Sequence, residues 1–217
     1  MIDVYTWATP NGHKVHIMLE ECGLEYRVHP INIGAGDQFG EDFLKISPNN
    51  KIPAIVDPDG PDGKPISLFE SGAILVYLAG KTGKFLPEDV RGKYDALQWL
   101  MFQMGGVGPM FGQLGFFHKF AGKDFEDKRP RDRYVNESVR LLGVLERRLA
   151  GRAWVMGEQF TIADIALWPW VRNMVVEQGY NAAELLGWER FPELQRVLAA
   201  FVARPAVQKG LVTPPRN

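Results

Sequence analysis

The sequence predicts a small α/β domain followed by an all-helical domain, and three observations predict it. The first eighty residues alternate between strand-like and helix-like patterning, in the order β-α-β-α-β-β-α. A polar, turn-rich stretch follows from Gly80 to Arg91. Everything after that stretch has the apolar spacing of helices. The expected division is therefore an α/β domain over 1–80, a linker over 81–90 and a helical domain over 91–217.

The elements follow in order. Ile2 to Trp7 alternates and is rich in strand formers, and Thr9-Pro10-Asn11-Gly12 is a turn. His13 to Glu21 carries apolar residues at Val15, Met18 and Leu19 with charges between them, an amphipathic helix that ends near Gly23. Tyr26 to Ile33 is read as a second strand, and Glu41 to Ile46 as a short helix broken by Ser47-Pro48-Asn49-Asn50. Pro53 to Asp57 and Ile66 to Phe69 form a hairpin across the Asp59–Gly63 turn. Glu70-Ser71-Gly72 opens a helix expected to close at Gly80. This element order is that of a thioredoxin-like domain.

In the second half, Ala96 to Phe117 is uncharged and long enough to span a bilayer. Its glutamines, its glycines and Pro109 instead mark a buried, broken helix pair. Thr161-x-x-Asp164 before the apolar run Ile165 to Met174 is a capping-box signal with Asp in the place of Glu. Phe191-Pro192 starts a last helix, expected to end before Arg204-Pro205.

Composition narrows the function classes. A net charge of −1 over 217 residues, with no dense Lys/Arg run, gives no reason to expect nucleic acid or an anionic membrane surface as partner. The single cysteine, Cys22, excludes an intrachain disulfide and a Cys-x-x-Cys redox pair. One cysteine, and an N-terminus without a basic segment leading into an apolar run, fit a cytoplasmic protein. The four histidines show no metal-ligand spacing, so no metal is expected.

Several residue groups carry chemistry of their own. Glu70-Ser71 stands where a strand runs into a helix; the helix amides and the hydroxyl suit a carboxylate, and Glu70 suits an ammonium. Alternatively, either residue simply caps the helix. Thr9 and Asn11 precede a helix N-terminus and offer donors to a sulfur anion, unless the loop is only a turn. Lowering a thiol by about two pKa units takes roughly 2.7 kcal/mol, within reach of two hydrogen bonds and a helix end. Ile52-Pro53 starts a strand; a cis bond would turn the Ile52 backbone outward, although trans is the commoner state.

Cys22 sits late in its helix, away from the positive end, and is read as a packed residue rather than a nucleophile. Tyr5, within a strand, is a weaker candidate for a sulfur-directed donor. Met104, Phe111 and Phe116 belong to a Met- and Phe-rich region interrupted by Gly105-Gly106 and Gly108-Pro109. They either fill a core or line a cleft facing the first domain for a second substrate.

Three stretches together resemble the cytosolic glutathione transferase superfamily over essentially the whole chain: Ser47 to Ala54 (SPNNKIPA), Leu68 to Ile74 (LFESGAI) and Phe160 to Asp164 (FTIAD). Thr9 to Lys14 (TPNGHK), Gln98-Trp99-Leu100 with Gly105 to Met110, and Ile165 to Trp170 are similar to the bacterial Nu class, which is linked to disulfide-bond reductase activity. The resemblance implies a homodimer that takes glutathione as cosubstrate. In it Thr9 and Asn11 face the glutathione sulfur, and the Ile52 backbone pairs with the cysteinyl unit beside a cis Pro53. Glu70 and Ser71 hold the γ-glutamyl end, Gln38 touches the ligand backbone or that same end, Lys51 lies near the glycyl carboxylate, and Arg133 adds a positive contact. The chain departs from cysteine-type classes in having no Cys near position 9. Disulfide exchange would then pass between glutathione and the substrate alone. The expectation is a glutathione-dependent disulfide-bond oxidoreductase. The alternatives are a transferase conjugating glutathione to hydrophobic electrophiles, or a non-enzymatic glutathione-binding or scaffold protein.

Overall fold

A computed structural model describes residues 1–214. The described chain divides into two compact units, one comprising Met1–Leu86 with residues 203–214, the other Pro87–Val202.

The first unit is built on a four-stranded mixed sheet in the order β2-β1-β3-β4, with β1 at Ile2–Thr6, β2 at Tyr26–Pro30, β3 at Ala54–Asp57 and β4 at Ile66–Phe69. β1 and β2 are parallel; β1–β3 and β3–β4 are antiparallel. In β1 the residues Ile2, Val4 and Thr6 alternate inward, as a half-buried strand requires. Helix α1 (Pro10–Cys22) crosses between β1 and β2; α2 (Glu41–Ile46) precedes β3; α3 (Ser71–Thr82) follows β4. The second strand stops at Pro30, short of the expected Ile33, and α3 continues past Gly80 to a left-handed cap at Gly83. Gly80 has open space around its missing Cβ and a helix tolerates it, so the residue that ends the helix is the glycine with positive φ.

A short helix that the sequence reading did not foresee, α10 (Pro205–Leu211), packs on α1. It explains why α1 is buried almost all round rather than on one stripe. At Gly210 a Cβ would stand 2.6–2.9 Å from Ile17, so the close approach of α10 to α1 requires glycine there. Arg204 fixes the entry to α10 through a two-pronged ion pair with Glu21 at 2.6 and 2.9 Å. The segment from Ala203, read from the sequence with the helical half, thus packs within the first unit.

The second unit consists of α4 (Val90–Phe102), α5 (Gly108–His118), α6 (Arg129–Leu149), α7 (Ile162–Val175), α8 (Ala183–Leu186) and α9 (Pro192–Val202). The Gly105-Gly106 pair does not break the α4–α5 stretch; Gln103–Val107 instead form a widened, π-type turn that absorbs it. The capping box at Thr161–Asp164 is present at the start of α7, with Asp164 wholly buried. Among the described residues no helix is long and apolar enough to cross a membrane.

Candidate active site

The register of the sheet decides where the candidate residues go. Thr6 lies opposite Pro30, Tyr5 opposite Ala54, and Ala54 opposite Phe69. The C-terminal ends of β1, β2 and β4 and the N-terminal end of β3 therefore share one end of the sheet. Thr9 and Asn11 leave from β1, Lys51 to Pro53 enter β3, Glu70 and Ser71 leave β4, and Gln38 sits in the segment that follows β2.

At the start of α1, Thr9 is the N-cap and its Oγ accepts from the Gly12 amide at 3.2 Å. Its own hydrogen is thereby directed away from that amide. Asn11 is the second residue of the helix, half-buried, where first-turn amides and the helix dipole make the potential positive. Gly12 has no room for a side chain, because a Cβ would collide with the Trp7 carbonyl. That close approach seats the helix N-terminus against the end of β1.

The Ile52-Pro53 bond is cis. The turn before it is held by Ser47, whose hydroxyl donates to the Lys51 carbonyl at 2.8 Å. The Lys51 side chain is exposed, and the Gln38 amide donates to the Ile33 carbonyl at 3.4 Å.

Glu70 does not cap the helix that it precedes. It occupies the N-cap position of α3 with φ 70° and ψ 111°, yet its side chain makes no capping hydrogen bond. A left-handed φ at a non-glycine residue costs about 1–3 kcal/mol and persists where the surrounding structure over-determines it. Its exposed carboxylate therefore stands at a helix N-terminus without serving the helix. Ser71, the next residue, is buried, and its Oγ accepts from the Lys14 ammonium at 3.2 Å.

Lys14 is the residue that sequence reasoning missed. It has no exposed surface, and burial pulls its pKa down to about 7 while the Glu70 charge opposes the shift. A lysine between His13 and Val15 reads as the polar face of an amphipathic helix, and no local signal marks it as buried.

Cys22 behaves as the sequence indicates. It is buried beside the Thr82 hydroxyl at 3.5 Å, and burial raises its thiol pKa, the opposite of what a nucleophile needs. Tyr5 stacks on His29 with ring centroids 4.6 Å apart.

In the helical unit, Met104 lies half-buried in the widened turn, and Phe116 is 39% exposed with its ring edge-on to Phe117 at 5.0 Å. Phe111 corrects the reading of these residues as a cleft: it is fully buried and packs as core, because its position on α5 faces inward. Arg133 is exposed on α6 and lines an open groove of about 640 Å³ with Met110, Tyr134, Asn136, Glu137 and Arg140. Among the described residues no cluster of His, Cys, Asp and Glu could hold a metal ion.

The gathered loops have the order and spacing of a known family. Residues 8–81 match the glutathione S-transferase N-terminal domain, and residues 129–200 match the glutathione S-transferase C-terminal domain. The chain belongs to the glutathione S-transferase family.

Among this transferase's relatives, the disulfide-bond oxidoreductase YfcG of Escherichia coli K12 is 52% identical over 98% of this chain and 95% of its own. The disulfide-bond oxidoreductase YghU of the same organism is 41% identical over 97% of this chain and 74% of its own. A glutathione transferase from Burkholderia graminis, solved with two glutathione molecules per subunit, superposes with a TM-score of 0.96 at 63% identity, covering 100% of this chain and 89% of that one. One from Pseudomonas putida, solved with one glutathione disulfide per subunit, gives 0.95 at 62% identity, covering 98% and 91%.

Proposed function

We propose that this transferase is a glutathione-dependent disulfide-bond reductase of the Nu class that uses no protein cysteine. The observation that carries the reading is the division of labour in the first unit. The donors at Thr9 and Asn11 stand at a helix N-terminus, while the only thiol, Cys22, is buried with a raised pKa. Sulfur chemistry on this chain then has to use the ligand's sulfur. The naming of YfcG and YghU as disulfide-bond oxidoreductases, and the glutathione disulfide in the P. putida structure, agree with it.

Thr9 and Asn11 donate to the sulfur of one glutathione and favour its thiolate. That thiolate attacks one sulfur of the substrate disulfide; the S–S bond breaks, and the departing thiolate takes a proton. A second glutathione thiolate attacks the glutathione sulfur of the mixed disulfide and displaces the remaining substrate thiol. Two glutathione molecules and one disulfide thus become one glutathione disulfide and two thiols. In this reading the Ile52 backbone pairs with the cysteinyl unit, and Glu70 and Ser71 hold the γ-glutamyl ammonium and carboxylate. Gln38, Lys51 and Arg133 add contacts along the ligand. A homodimer and a cytoplasmic location belong to the same reading.

The test is the rate of glutathione disulfide formation from reduced glutathione and a small disulfide such as hydroxyethyl disulfide. Cys22→Ala is expected to keep the wild-type rate; loss of turnover in a folded Cys22→Ala protein overturns the cysteine-free route. A second reading, conjugation of glutathione to an electrophile, is favoured by the half-exposed aromatic group at Phe116, Phe117 and Phe125. Strong conjugation of a chloronitrobenzene with negligible disulfide turnover would select it.

A further inference from the structure

Beneath the end of the sheet where Glu70 and Ser71 emerge lies a charge that the proposed reaction does not use. Lys14 projects from the second turn of α1 with no exposed surface and donates to Ser71 Oγ at the start of α3. Burying an ammonium costs several kcal/mol after relaxation, so an apolar side chain of similar size would be the more stable occupant if packing were its only task. An ammonium cannot accept a hydrogen bond, so in this contact the Ser71 oxygen accepts, and the hydroxyl hydrogen points away from Lys14. The positive end of the α3 dipole lies at the same place, and Glu70 stands beside it with its carboxylate exposed. A cationic pole next to an anionic one is the complement of an α-amino-acid zwitterion.

We propose that Lys14 is a positioning residue for the α-carboxylate at the γ-glutamyl end of glutathione, acting through Ser71, whose hydroxyl it orients as a donor and whose surroundings it makes cationic. The inference rests on the reading of Glu70 and Ser71 as the glutamyl site, and it adds the group that gives that site its charge. Glu70 is the charged group that acts on Lys14 from α3. On α1, His13 is a buried neighbour, and His16 is pulled down to about 4 by burial and faces the backbone of Gly210 and Thr213. From α10, Lys209 is paired with Glu20. Burial pulls the Lys14 pKa down to about 7, so its charge is lost as pH rises through the neutral range. Affinity for a ligand carboxylate accordingly falls as pH rises through that window.

The experiment is calorimetry with S-methylglutathione, whose sulfur cannot ionise, and with its analogue carrying 4-aminobutyrate in place of the γ-glutamyl residue, which lacks only the α-carboxylate. Wild-type protein is expected to bind S-methylglutathione more tightly at pH 6 than at pH 8. Lys14→Met should weaken that binding at pH 6 by about tenfold or more, remove the pH dependence, and leave the analogue's affinity unchanged. Ser71→Ala removes the hydroxyl but keeps the Lys14 charge, so it should weaken S-methylglutathione, spare the analogue and keep the pH dependence; if Lys14→Met fails to fold, Lys14→Gln tests the charge in its place. Equal losses for both ligands, or an unchanged pH dependence in the Lys14 variant, overturn the role given to Lys14. No binding of S-methylglutathione by the wild type at either pH overturns instead the underlying glutathione reading.

Discussion

At the residue scale the account turns on two positions that do something other than what their type suggests. Glu70 occupies a capping position without capping, in a backbone conformation that glycine would adopt at no steric cost. Replacing it separates stability from function. Glu70→Gly should be more stable than Glu70→Ala by about 1 kcal/mol, because only glycine relieves the left-handed φ, and both should lose glutathione affinity. Thermal unfolding of the two variants, read beside their glutathione titrations, checks this; equal stability would show that no strain is held there. Asn11 is the second position. Asn11→Ala should lower disulfide turnover by about ten- to a hundredfold while the unfolding midpoint changes little, since Thr9 and not Asn11 caps α1. Steady-state rates beside thermal melts check it, and an undiminished rate would take Asn11 out of the sulfur site. The placement of Thr9, Asn11, Glu70 and Ser71 at strand-to-helix junctions was legible in the sequence from the order of the elements. Lys14 was not, because full burial of a charge depends on which elements close over it.

At the element scale, α7 has the strongest local code. Asp164 accepts from the backbone amides of Val155 at 3.0 Å and Thr161 at 3.1 Å and from the Trp168 indole at 3.2 Å, all buried. The Thr161 side chain returns the cap by accepting from Ala163. Asp164→Ala would strand several buried donors, each worth about 1–3 kcal/mol, so it should destabilise the protein by about 3 kcal/mol or more. Asp164→Asn should cost less, because the amide oxygen keeps some of those bonds. Denaturant unfolding of both variants measures the difference; a loss below about 1 kcal/mol for the alanine variant would reduce the network to an ordinary cap. This box was legible because it is written in four consecutive residues. The α4–α5 junction was not: Gly105-Gly106 signals a break, yet a single widened turn carries the chain through. Nor was α10, where a seven-residue stretch opening with proline is too short to declare a period, and it forms by packing on α1.

At the scale of the whole molecule, the order of elements in the first unit is the informative feature, because it brings four strand ends together. Positions as far apart as Thr9, Pro53 and Ser71 then serve one end of one sheet. That convergence followed from the β-α-β-α-β-β-α pattern, whereas the return of the segment after Ala203 to the first unit depends on long-range packing that no local spacing records. The central claim is that the sulfur chemistry belongs to glutathione and not to the protein. It is tested most directly by glutathione disulfide formation from hydroxyethyl disulfide, compared in the wild type, Cys22→Ala and Asn11→Ala, with conjugation of a chloronitrobenzene followed in parallel. The account predicts strong disulfide turnover retained in Cys22→Ala, lowered by about ten- to a hundredfold in Asn11→Ala, and weak conjugation throughout. Turnover that disappears in a folded Cys22→Ala protein, or conjugation that dominates over disulfide reduction, would contradict it.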